Sequence, residues 1–280
     1  MPVSSLTPAR HDITHADRFK EGEGDHVPTV SVNGLQIAYA SAGAGPPTVC
    51  LVHGTGGSSD VWMRQLEDLA DLGRIVALDL PGHGGSGGTI AHRIEDAAAV
   101  VAGFLDALGI TRVVIGGHSM GGAIAQQFAL SCRERPDGLI LIGTGARLRV
   151  LPRLLDLLAN HYHEGVSLLM SLAIGARAPA ELRAALHRAT AQNPAGVVLG
   201  DLQACDAFDV MSRISTVQAP TLVICGEEDQ LTPPKYSRFL GQRIAGACVS
   251  IVPGAGHYVQ VEKPRETTAA IREFLVRLGE

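Results

Sequence analysis

The chain has 280 residues, 46% of them hydrophobic and 18% charged, which gives ample apolar sequence for a core in a chain near the upper end of single-domain length. Its formal net charge is -5 with acids and bases interspersed, so no basic patch suits nucleic acid, and no run approaches the ~20 apolar residues of a membrane span. Five cysteines, an odd number with no Cys-x-x-Cys pair, and a start without a basic-then-apolar pattern predict reduced thiols in a cytoplasmic protein with no metal centre.

Residues 1–28 are polar and mixed in charge, and read as a partly disordered leader. Strands are expected at 35–42, 48–53 and 74–78, with a helix at 61–72 between the second and third. A helix at 94–108 follows, then an apolar run at 112–116, a helix-like stretch at 122–129 and a strand at 137–142. From 146 to 215 the strand pattern stops, and helical stretches around 149–158, 167–174, 180–188 and 194–208 are separated by Gly and Pro. A buried strand resumes at 220–226, and a further strand is expected at 249–252. Alternating strands and helices imply an α/β fold, a mostly parallel sheet with helices on both faces and ligands at the carboxyl ends of the strands. The expected division is a core of residues 29–145 and 216–280, interrupted by a helical unit at 146–215.

Chemistry concentrates at three of those strand ends. Gly117-His118-Ser119-Met120-Gly121 places a serine on a sharp strand-to-helix turn, with glycines where a side chain would block the turn. A serine hydroxyl is a poor nucleophile at neutral pH and needs a histidine base, itself oriented by an acid. The strand at 220–226 empties into Glu227-Glu228-Asp229, and the strand at 249–252 into Pro253-Gly254-Ala255-Gly256-His257. Asp229 is the expected acid. Asp206 and Asp209 are better explained by helix capping or a salt bridge, and His83 lies in a turn with no evident acid partner.

The Gly-His-Ser-Met-Gly elbow, with Ser119, Asp229 and His257 in that chain order, resembles the α/β-hydrolase superfamily, and the resemblance extends over nearly everything after about Val30. It implies an α/β-hydrolase fold in which 146–215 forms a helical lid, and an oxyanion hole made by the backbone N–H groups of Met120 and, from the His53-Gly54-Thr55-Gly56-Gly57 match, Thr55. It also makes His53 and His118 structural, and matches Asp79-Leu80-Pro81-Gly82-His83-Gly84-Gly85-Ser86 and Glu262-Lys263-Pro264 to segments without chemistry.

The implied activity is hydrolysis of small to medium carboxylic esters or lactones through an acyl-enzyme, with no cofactor. Gly54, Leu154, Leu158, Met170, Met211 and Tyr258 are the candidate pocket residues, with Leu169 and Leu199 as further apolar lid positions. A serine at the elbow argues against the branches of the superfamily that use a carboxylate nucleophile. Thioesterase activity, carbon–carbon hydrolysis of ring-cleavage dienoates and a non-enzymatic ligand-binding role remain open. The dienoate reading would need Arg149, Arg153, Arg177, Arg183, Arg188 or Lys235 to face the substrate. Oligomeric state is not readable.

Overall fold

The computed structural model describes residues 27–280, so the expected leader lies outside the described residues except for its last two positions. Eight strands form one sheet: β1 (Thr29–Val32), β2 (Leu35–Ala42), β3 (Thr48–Val52), β4 (Arg74–Leu78), β5 (Val113–His118), β6 (Pro136–Ile142), β7 (Thr221–Gly226) and β8 (Cys248–Val252). Their spatial order is β1-β2-β4-β3-β5-β6-β7-β8. β1 and β2 pair antiparallel, and β2 is antiparallel to β4. Every other pairing is parallel.

The period of two along a strand sorts side chains onto two faces. In β3, Cys50 and Val52 enter one core cluster while Val49 and Leu51 enter the other; in β4, Val76 and Leu78 oppose Ile75 and Ala77 in the same way. Both faces are covered, so β5 and β7 are buried at all six positions. On one face lie α2 (Ile94–Ala107), α3 (Met120–Ser131) and α8 (Pro234–Arg243); on the other lie α1 (Met63–Leu69) and α10 (Pro264–Gly279). α3 is the innermost helix, buried at every residue from Met120 to Ala129. The short α9 (Val259–Glu262) precedes α10.

Between β6 and β7 the chain leaves the sheet and forms α4 (Pro152–Asn160), α5 (Tyr162–Ala173), α6 (Ala180–Ala191) and α7 (Ala195–Ala207). Proline starts three of these four helices where a missing N–H costs nothing: Pro152 occupies the first turn of α4, and Pro179 and Pro194 cap α6 and α7. The two ends of the insertion are tied together, with Val210 N–H donating to Ala146 C=O at 2.8 Å and an isolated bridge between Arg147 and Asp209. Its apolar residues form a third cluster with Tyr258 from the core. Backbone contacts run from the insertion to the loop after β8, where His257 N–H donates to Ala173 C=O at 2.6 Å. The insertion therefore sits at the carboxyl ends of the strands. Among the described residues, no helix is long and apolar enough to cross a membrane.

Candidate active site

Ser119 follows the last residue of β5 and precedes the first of α3, with φ 55 and ψ -116. A non-glycine residue in this region carries about 1–3 kcal/mol of strain, and its surroundings hold it there. Ser119 N–H donates to Ile142 C=O at 2.9 Å, and Ser119 C=O accepts from Ala123 N–H at 3.1 Å and the Thr144 hydroxyl at 2.9 Å. The flanking glycines are required by space. A Cβ at Gly117 would lie 2.2 Å from the Gly121 carbonyl, and one at Gly121 would lie 2.2 Å from the Val52 oxygen. Gly54, an expected pocket residue, also lies against the nucleophile: a Cβ there would be 3.1 Å from Ser119 Cβ.

The loop after β3 is oriented by its carbonyl. Gly54 C=O accepts from His53 Nδ1–H at 2.8 Å and from Gly57 N–H at 3.1 Å. Because a trans peptide sets C=O and N–H in opposite directions, fixing this carbonyl turns the Thr55 N–H the other way. Among the described residues neither Thr55 N–H nor Met120 N–H donates to any acceptor. Met120 also stands at the positive end of α3. Two unspent donors beside a strained serine can receive a developing oxyanion.

His257 lies in the loop after β8 and is 3% exposed. Its Nδ1 donates to Asp229 Oδ2 at 2.8 Å. Asp229 is held from below: Oδ1 accepts from Leu231 N–H at 2.9 Å and Thr232 N–H at 2.8 Å, and Oδ2 accepts from the Thr232 hydroxyl at 2.8 Å. Burial works to raise its pKa, but the His257 charge and these hydrogen bonds outweigh burial and hold the carboxyl at about 2. With Nδ1 committed, Nε2 carries the lone pair of the neutral ring. No hydrogen bond joins Nε2 to the Ser119 hydroxyl in this structure; such contacts are commonly long without substrate.

Glu227 and Glu228 do other work, accepting from Gly254 N–H at 3.3 Å and Ala176 N–H at 2.7 Å. Asp206 accepts from Val150 N–H and lies 4.0 Å from Arg149, and Asp209 pairs with Arg147 at 3.3 Å, so the expected salt bridges form and neither residue caps α4. His118 Nε2–H donates to His257 C=O at 2.9 Å, and burial, followed by the charge of His257, lowers its pKa well below the usual value. His53 accepts from Leu80 N–H at Nε2, 3.0 Å, while Nδ1–H donates; burial first, then the nearby His83, lowers its pKa to about 4. Both are neutral structural rings.

One expectation fails outright. His83 does have an acid partner: its Nε2 lies 2.9 Å from Asp201 Oδ2, both side chains being buried. Asp201 comes from α7, 118 positions away, so the pairing was invisible in the local sequence. Met211 stands apart from the other candidate pocket residues. Leu154, Leu158, Met170 and Tyr258 pack in the third cluster with Leu169 and Leu199, whereas Met211 is 41% exposed just past the Arg147–Asp209 bridge and lies outside that cluster. Among the described residues no cluster of three or more His, Cys, Asp or Glu side chains is arranged to hold a metal ion.

The sequence pattern of the Alpha/beta hydrolase family matches residues 51–271. The chain belongs to this family. A thermophilic esterase of solved structure is 32% identical and superposes with a TM-score of 0.81 over 90% of this chain and 98% of its own. Est816, described as an N-acyl homoserine lactone degrading enzyme, is 28% identical with a TM-score of 0.80, over 88% of this chain and 100% of its own. The 2-hydroxy-6-oxononadienedioate/2-hydroxy-6-oxononatrienedioate hydrolase 1 of Dechloromonas aromatica (strain RCB) is 30% identical over 296 residues, 98% of this chain and 99% of its own. Family membership makes the chain a hydrolase, and these relatives are named for different substrates.

Sequence reasoning also missed Glu262, read only as part of a helix start. Its Oε2 accepts from Gly175 N–H at 3.0 Å and Gly256 N–H at 2.9 Å, and its Oε1 from Tyr258 N–H at 3.1 Å. One carboxylate thus brackets His257 on both sides and ties the histidine loop to the insertion. The available signal was a charged residue five positions after His257, in a segment otherwise apolar from Tyr258 to Val261 apart from Gln260.

Proposed function

We propose that the protein hydrolyses small to medium carboxylic esters or lactones through an acyl-enzyme on Ser119, with residues 146–215 acting as a lid on a core of 29–145 and 216–280. The observation that carries this reading is the His257–Asp229 pair, whose carboxylate also accepts from Leu231 N–H, Thr232 N–H and the Thr232 hydroxyl, together with the unspent backbone N–H groups of Met120 at the elbow and Thr55 on the loop after β3. His257 Nε2 takes the Ser119 proton as Oγ bonds to the carbonyl carbon, and Met120 and Thr55 N–H stabilise the resulting oxyanion. The imidazolium then protonates the departing alkoxide. Water adds to the acyl-enzyme with its proton passing to His257, and collapse of the second tetrahedral intermediate returns that proton to Ser119 and frees the acid. This chemistry calls on no cofactor.

Substrate charge is where the insertion bears on the alternatives. Arg149, Arg153, Arg177, Arg188 and Lys235 are exposed, and Arg183, half-buried, donates to Gly175 C=O. The insertion's own apolar side chains gather around Tyr258. That arrangement supports an uncharged acyl group over a dianionic dienoate, the substrate in the name of the Dechloromonas relative. All five cysteines are free, which supports a cytoplasmic setting.

The test is hydrolysis of p-nitrophenyl acyl esters of two to twelve carbons by the purified protein beside Ser119→Ala. Turnover that disappears in the variant is the expected result. Turnover that persists in the folded variant, or inertness of the unaltered protein on esters and lactones alike, overturns the reading.

A further inference from the structure

The loop that carries Thr55 does not hold its shape alone. Gly56 has φ 58, and its N–H donates to Asp201 Oδ2 at 2.8 Å while its C=O accepts from Asn193 Nδ2 at 2.8 Å. Both partners belong to the insertion: Asp201 to α7, Asn193 to the turn before it. The approach is close as well as polar, since a Cβ at Gly56 would lie 3.0 Å from Val198 Cγ2. The grip is itself supported. The Tyr162 hydroxyl lies 2.9 Å from Asn193 C=O, and His83 Nε2–H donates to the same Asp201 oxygen that receives Gly56. Asp201 is 1% exposed.

These contacts fix the peptide units on either side of Gly56, the residue after the Thr55 donor. We infer that Asp201 and Asn193 are positioning residues through which the seated insertion holds the oxyanion loop in its working shape. Lifting the insertion releases both ends of Gly56 at once, so the hole is complete only under a seated lid. His83 acts one step further back, orienting Asp201. The catalytic part of the inference rests on the proposed acyl transfer, whereas the structural part does not.

Two measurements on the full chain separate them. The first is hydrogen–deuterium exchange over residues 53–58 in Asn193→Ala and Asp201→Ala; faster exchange there, with the sheet still protected, is expected. The second is steady-state turnover of the best p-nitrophenyl ester. Each variant should lose about tenfold in kcat with KM within about twofold, because misplacing a donor weakens only transition-state binding. Inhibition by a trifluoromethyl ketone, which forms an oxyanion on serine, should weaken in parallel. Asp201→Asn keeps an amide oxygen for Gly56 N–H and should recover most of kcat. Folded variants with unchanged loop exchange overturn the inference; so do faster exchange with unchanged kcat and unchanged ketone inhibition. Where Asp201→Ala fails to fold, Asn193→Ala on the half-buried turn gives the answer. If the unaltered protein turns over no ester, the proposed function fails, and loop exchange alone decides whether the clamp exists.

Discussion

Among the described residues two buried histidine–aspartate pairs have nearly the same contact distance, and only one of them leaves a ring nitrogen free for the proton transfer proposed above. His257 meets Asp229 at 2.8 Å and His83 meets Asp201 at 2.9 Å. The difference lies at the second ring nitrogen. His257 Nε2 is uncommitted. His83 Nδ1 faces the Pro81 carbonyl at 3.1 Å while Nε2 faces a carboxylate, so both nitrogens confront acceptors and the ring is satisfied only as a cation. Burial opposes that charge, but the hydrogen bond and charge of Asp201, then the Pro81 carbonyl and Asp79, outweigh it and raise the pKa of His83. With both nitrogens turned to acceptors, His83 offers no lone pair to a substrate. Proximity of an acid to a histidine therefore says little about catalysis until the other nitrogen is accounted for.

Exchanging each acid for its amide breaks the comparison most sharply. Asp229→Asn should lower kcat by about 10⁴-fold, because an amide at that place favours the wrong tautomer of His257. Asp201→Asn should cost only a few-fold, since an amide oxygen still serves Gly56 N–H. Equal losses in steady-state assays of the two folded variants would contradict the separate roles assigned to the pairs. A smaller effect is expected from Thr232→Val, which removes the hydroxyl donor to Asp229 Oδ2 but keeps the residue's shape and its backbone N–H. Loss of one hydrogen bond to a charged group, about 1.5–3 kcal/mol at most, should lower kcat by about tenfold and raise the carboxyl pKa of Asp229 as read by NMR titration.

The same contrast explains what the amino-acid order disclosed. Ser119, Asp229 and His257 were legible because each follows a strand whose apolar run marks its own end, and the parallel sheet brings those ends together. β2 and β4 stand where the hydrophobic pattern placed them, at Leu35–Ala42 and Arg74–Leu78. The helix expected over 61–72 is shorter because Ser58 caps a 3₁₀ turn at Ser59–Trp62 and α1 ends at Leu69. β1 escaped notice as a four-residue edge strand with one buried side chain, and α8 because only Ser237 and Leu240 in it are buried. The Asp201–Gly56–Asn193 contacts join segments 137 to 145 positions apart, and nothing in local periodicity encodes such a meeting. The insertion's helices were visible, but where they touch the core was not.

The mildest expected effect is on stability rather than rate, and it turns on the sign of each histidine's shift. His53 and His118 have folded pKa values below the ordinary 6.5, so they favour the native state fully above that value and withdraw support as pH falls; for His53 the loss runs down to about 4. His83 has the opposite sign. Its folded pKa is raised, so its contribution is complete below about 6.5 and fades as pH rises through the folded value. The groups facing it are Asp201 and Asp79, which favour its charge, and His53, which stays neutral. His83→Gln should therefore cost more at pH 6 than at pH 9 when both proteins are unfolded in urea. A cost that grows with pH would mean that His83 is neutral in the folded protein, and the two histidine–aspartate pairs would then differ only in their neighbours.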